Sequence, residues 1–109
     1  MKYAIISDIH ANASALKAVL VDIAEMNVDS IICLGDIVGY GPLPEETLLI
    51  VKNKGIVSVR GNHDDAVSGI ASAEEFTELA REAAERHRGV LSQDEIKYLK
   101  SLPYSISLE

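Results

Sequence analysis

The chain has 109 residues, a formal net charge of −7 from 17 acidic and 10 basic side chains, 48% hydrophobic and 25% charged residues. That is the composition of one ordinary globular domain. The acidic balance excludes a broad nucleic-acid or anionic-membrane surface, which would need clustered Lys and Arg. A small phosphate substrate stays open, because bound divalent cations reverse the local sign.

Residues 2–7 (KYAIIS) form a short apolar run of strand formers that ends on Asp8 and His10. Apolar side chains then recur at Leu16, Val19, Leu20, Ile23 and Ala24, which predicts a helix over 13–26 capped by Asn12 or Ser14. A second strand is expected at 30–34 (SIICL), then a loop punctuated by glycine and proline from Gly35 to Pro44. A helix from about Glu45 to Lys52 follows, with Gly55 placed to end it, and a third strand at 56–59. Cys33 is the only cysteine, so an internal disulfide and a cysteine zinc site are both excluded, and its place in an apolar run reads as core.

Beyond the loop Arg60-Gly-Asn-His-Asp-Asp65, the segment Ser72-Ala-Glu-Glu75 reads as a capping box. Phe76, Leu79, Ala80, Ala83 and Ala84 form the apolar stripe behind it. Leu16, Val19, Ile23, Phe76 and Leu79 are expected in the core. His87, between Arg86 and Arg88, reads as a solvated side chain at a helix end. A second capping box, Ser92–Glu95, opens a short helix with Ile96 and Leu99 on one face; Pro103 ends it, and Tyr104–Leu108 could begin another strand. No signal-peptide pattern and no apolar run near the ~20 residues of a membrane span are present, so the expected location is cytoplasmic.

Alternating strands and helices with short connections predict an α/β fold, a mainly parallel sheet with right-handed crossover helices. The strands are apolar on both faces, yet the helices suffice for one face only. In such sheets ligands bind beyond the carboxyl ends of the strands. Asp8 and His10, then Asp36, then Asn62, His63 and Asp64 all fall on that edge. Carboxylate, imidazole and amide oxygens suit Mn²⁺, Fe or Zn²⁺. Two ions ~3.5–4 Å apart would share a bridging carboxylate, for which Asp36 is placed, with Asp8 and His10 on one ion and Asn62 on the other. Asp64 could orient His63, and Asp65 reads as a turn or cap residue. Tyr40 either stacks on a substrate base or packs across its loop. Arg60 either contacts phosphate or pairs with a nearby acid. Phosphate-binding loops of the Gly-x-x-x-x-Gly-Lys and Gly-x-Gly-x-x-Gly kinds are absent, as is a Gly-x-Ser-x-Gly nucleophile turn.

Together SDIHAN (7–12), GDIVGYGP (35–42) and RGNHD (60–64) resemble the motifs of the calcineurin-like metallophosphoesterases. The phrasing is most similar to the small prokaryotic phosphodiesterases related to diadenosine tetraphosphatase. The resemblance implies one half of an α/β/β/α sandwich and phosphoester hydrolysis by a metal-bridging hydroxide, on a phosphodiester, nucleotide or phosphomonoester. It implies two divalent ions (Mn, Fe, Zn or Ni) held by Asp8, His10, Asp36 and Asn62. His63 then lies outside the metal shell as the catalytic side chain that touches the phosphate. Members of the family continue into a His-Gly motif and a Gly-His-x-His motif, neither of which occurs here. Residues 1–109 are therefore expected to be a single domain incomplete at its carboxyl terminus. It would be a truncated chain or interrupted reading frame, a half-domain packed on a second copy, or one completed by a separate chain. Alone it would hold one ion, with the second position open to water. The alternative function is a catalytically incomplete metal- or phosphate-binding module or assembly subunit.

Overall fold

The computed structural model describes residues 1–108. The elements run β1 (Tyr3–Ile6), α1 (Ala13–Ala24), β2 (Ser30–Cys33), α2 (Pro44–Asn53), β3 (Val57–Ser58), α3 (Asn62–Ser68), α4 (Glu78–Val90) and α5 (Gln93–Ser101). The three strands form a parallel sheet in the order β1-β2-β3. The fold is thus the expected α/β arrangement. Asn12, not Ser14, caps α1, its side chain accepting from the Ala15 N–H at 3.0 Å. α2 begins at Pro44, where a missing N–H costs nothing and the ring sets the helical φ. Among the described residues no helix is long and apolar enough to cross a membrane.

The register decides which side of the sheet is core. Ile6, Cys33 and Ser58 stand side by side on one face; Ile5, Ile32 and Val57 stand on the other. Cys33 belongs to one buried cluster with Leu16 of α1, Leu48 and Val51 of α2, Ala66 and Val67 of α3, Ala84 of α4 and Leu99 of α5. Every helix therefore contributes to the same face. The opposite face is open at its outer positions: Ile5 is 52% exposed, Val57 44% and Leu34, at the end of β2, 55%, while Ile32 between Ile5 and Val57 is buried. Large exposed apolar side chains gathered on one sheet face mark a face built to be covered.

Several expectations past β3 fail, each for a local reason. Ser72 does not start a helix; its hydroxyl accepts from the Glu74 N–H in a turn, and α4 starts at Glu78 under a Thr77 cap. The stripe that α4 buries is Ala80, Ala83, Ala84 and His87, so Leu79 points out and is 75% exposed. Val19 is likewise exposed on α1. The segment Asn62–Ser68 is a helix although it reads as part of a loop. Tyr104–Leu108 is not a strand; Tyr104 instead lays its ring under the Arg60 guanidinium, 4.0 Å from its centroid.

Candidate metal centre

Three loops at the carboxyl ends of β1, β2 and β3 meet, and backbone hydrogen bonds tie them. The N–H groups of Asp8, His10 and Ala11 donate to the carbonyls of Gly35 (3.1 Å), Asp36 (2.9 Å) and Ile37 (2.8 Å). The third loop is joined by Asp64, wholly buried. Its carboxylate accepts from the N–H groups of Asp36 (2.8 Å), Val38 (3.1 Å) and Gly61 (3.0 Å). Burial pushes this carboxyl up to about 6, against the three N–H groups that favour its ionised form. Asp64 therefore orients two loops rather than the His63 ring.

Local backbone geometry marks the same place. Asp8, His10, Ala11, Asp36 and Tyr40 all have φ between 49° and 59°. The left-handed region costs a residue with a Cβ about 1–2 kcal/mol. Strain gathered on five residues of two adjoining loops is the mark of a functional site. Gly61 is required by contact: a Cβ there would stand 2.3 Å from Asp36 Oδ1 and 2.5 Å from the Asp36 nitrogen.

The side chains converge. His10 Nδ1 lies 3.0 Å from the Val38 carbonyl, which can only accept, so Nδ1 carries the proton. His10 Nε2 then faces Asp8 Oδ1 at 3.4 Å and Asp36 Oδ2 at 4.0 Å. A lone pair turned toward two carboxylates needs a proton or a metal cation between them. Asp36 Oδ1 accepts from the His63 N–H at 3.0 Å, which leaves Oδ2 free to face the site. His10, Asp36 and His63 each offer a ligand atom, all within 4.8 Å of one another. The His63 ring packs against Phe76 and Tyr40 at a tilt and edge-to-face with His10, with centroids 4.6, 4.9 and 4.8 Å away. Its Nδ1 is buried without a hydrogen-bond partner, and desolvation lowers its affinity for a proton. His10 Nε2 facing the Asp8 and Asp36 carboxylates is a donor set that fits a divalent transition metal, with the His63 imidazole beside it.

A family model for calcineurin-like phosphoesterases fits residues 1–106. The chain belongs to the calcineurin-like phosphoesterase family. It is 43% identical over 103 residues to an uncharacterized protein of Methanocaldococcus jannaschii, covering 94% of this chain and 42% of that one. Among solved structures it is similar to a metallophosphoesterase from Sphaerobacter thermophilus, with 47% identity and a TM-score of 0.76. It is also similar to a candidate diadenosine tetraphosphatase, with 27% identity and a TM-score of 0.70. In both cases 94% of this chain is covered, against 42% and 43% of the other. The chain thus spans less than half the length of these relatives.

Within this phosphoesterase fold, Asp8, His10, Asp36 and His63 come together, and Asn62 is the exposed first residue of α3 beside His63. Arg60 turns to an acid: its Nε stands 2.6 Å from Asp65 Oδ1, in ion-pair range though not aligned for a hydrogen bond. Asp65 also accepts from the Tyr104 hydroxyl at 3.2 Å. Tyr40 packs its ring edge on His10, centroids 5.1 Å apart, while remaining 49% exposed. The residue that sequence reasoning misplaced is His87. It is 1% exposed, with Nδ1 accepting from the Gly39 N–H at 3.0 Å and Nε2–H donating to the Gly41 carbonyl at 2.6 Å. Desolvation lowers its pKa and keeps it neutral, the one form that can both accept and donate.

Proposed function

We propose that the chain carries the metal half of a phosphoesterase site, hydrolysing a phosphodiester, nucleotide or phosphomonoester. The observation that carries this reading is the convergence of His10 Nε2, Asp8, Asp36 and His63 at the ends of consecutive parallel strands. Asp8, His10, Asp36 and Asn62 would hold one or two divalent ions, Mn, Fe, Zn or Ni, with Asp36 between them. Bound there, the ions would supply Lewis acidity to the phosphoryl oxygens and lower the pKa of water. His63 faces the phosphate as hydrogen-bond partner of the leaving oxygen, its ring held by Phe76 and Tyr40. Tyr40 offers its exposed face to the aromatic or nucleoside part of the substrate. A nucleotide substrate agrees with the diadenosine tetraphosphatase assignment of one structural relative. A cytoplasmic setting agrees with a lone, buried, unpaired cysteine.

The experiment is hydrolysis of bis-p-nitrophenyl phosphate with and without Mn²⁺. Turnover that needs Mn²⁺ and disappears in Asp36→Asn supports the reading; turnover that survives Asp36→Asn removes it. A second reading, a metal-binding module or assembly subunit without turnover, is favoured by the open sheet face of Ile5, Leu34 and Val57 and by the relatives' greater length. Residues 1–109 then form a single domain whose open face is covered by further chain or by a second copy. That reading predicts stabilisation by Mn²⁺, with no hydrolysis until the face is covered.

A further inference from the structure

His87 lies 46 and 48 residues away in sequence from the two groups it binds, on a helix that contributes nothing else to the site. Its imidazole bridges the Val38–Gly39 and Gly41–Pro42 peptide groups on either side of Tyr40: Nδ1 accepts from the Gly39 N–H and Nε2–H donates to the Gly41 carbonyl. Between them Tyr40 is held at φ 59°, a conformation its side chain disfavours. The clamp reaches further. The Gly41 N–H donates to the His10 carbonyl at 3.0 Å, and the Val38 carbonyl, one residue before Gly39, receives His10 Nδ1. A Cβ on Gly39 would strike His63 Nδ1 at 2.7 Å, so this turn also abuts His63.

We propose that His87 is a positioning residue: it locks the Gly39–Gly41 turn so that the Tyr40 ring packs against both His10 and His63 at the mouth of the metal centre. An ordinary core residue at this place would fill the volume but leave a buried N–H and a carbonyl unpaired. A neutral histidine with the proton on Nε2 satisfies both. Gln carries N–H donors and a carbonyl acceptor on one planar group and can do the same; Phe matches the shape and does neither. The inference concerns site geometry and stands whether or not the chain turns over a substrate.

The test is nuclear Overhauser contacts between the Tyr40 ring and the His10 and His63 rings in metal-free protein, compared for the wild type, His87→Gln and His87→Phe. The expected result is contacts present in the wild type and His87→Gln and lost in His87→Phe. Contacts that persist in a folded His87→Phe overturn the proposal, because a merely structural role lowers stability without moving Tyr40. Should His87→Phe fail to fold, the wild type decides by ¹⁵N spectroscopy. A His87 ring protonated on Nε2 with a Gly39 amide protected from exchange supports the clamp, and an Nδ1-protonated ring overturns it. In parallel, His87→Phe should weaken Mn²⁺ binding about tenfold and His87→Gln should restore it. If the wild type binds no Mn²⁺, the phosphoesterase reading fails while the ring contacts still decide the role of His87.

Discussion

Gly61→Ala probes the joint between the second and third loops with a single methyl group. At φ −91° any residue can adopt the backbone, so the effect is steric alone. The added Cβ would stand 2.3 Å from Asp36 Oδ1, 2.5 Å from the Asp36 nitrogen and 2.8 Å from its Cγ. Relief needs a shift of about 1 Å, since carbon and oxygen reach comfortable contact only near 3.5 Å. That shift must pass through Asp36, whose N–H is held by Asp64 and whose Oδ1 is held by the His63 N–H. Loosening two hydrogen bonds to carboxylates costs about 3 kcal/mol, the same order as overpacking a tight core. For a domain of this size that lowers Tm by about 12 °C, readable by circular dichroism. Because the carboxylate facing the site moves too, Mn²⁺ should restore much less stability to the variant than to the wild type. A variant that melts within about 2 °C of the wild type and gains as much from Mn²⁺ would refute the packing argument.

Other outcomes follow from the same contacts. His87 has its pKa lowered by burial, with Arg86 adding to the effect, so its contribution to stability is full above the unfolded value of about 6.5 and is lost as pH falls toward the native value. Chemical denaturation across pH 7 to 5 should show that loss, and His87→Gln should flatten it; an unchanged slope would mean that His87 is not the group responsible. Leu99→Ala, at a fully buried position, should cost about 2–5 kcal/mol, whereas Leu79→Ala on the exposed side of α4 should stay within about 0.5 kcal/mol. If the chain hydrolyses phosphodiesters, Tyr40→Ala should raise KM for an aryl diester about fivefold and leave an alkyl diester unaffected. An equal change for both would deny Tyr40 any part in substrate choice.

The parts of the fold that the sequence disclosed are those where one local rule acts alone. Apolar runs ending on Asp8, Gly35-Asp36 and Gly61-Asn62 gave the parallel strands and the edge where the site lies. The Asn12 cap and the Ser92–Glu95 capping box were legible because a side-chain oxygen bonds its own helix. The shortage of cover for the sheet was legible too, in the count of helices against two apolar faces. What escaped depends on partners far away in sequence. Asp64 looked like a neighbour of His63, but its carboxylate is spent on the Asp36 and Val38 N–H groups of the second loop and the Gly61 N–H of its own. His87 was hidden by the arginines beside it, although the spacing 80, 83, 84, 87 is one continuous helical stripe and already placed it inward. Leu79 fails that spacing by one position, and its hydrophobicity outweighed its angle. Ser72 carried a helix-start signal that a turn absorbed, and helix α4 began at the next cap that met its apolar stripe.

The central claim is that the ends of β1, β2 and β3 form one metal centre with Asp36 at its middle. Its most direct test is the melting temperature of the wild type and of Asp36→Asn as Mn²⁺ is added to a hundredfold excess over its dissociation constant. The account predicts that the wild type gains about 2.7 kcal/mol and that Asp36→Asn gains little or nothing. An equal gain in both proteins, or none in the wild type, would contradict it.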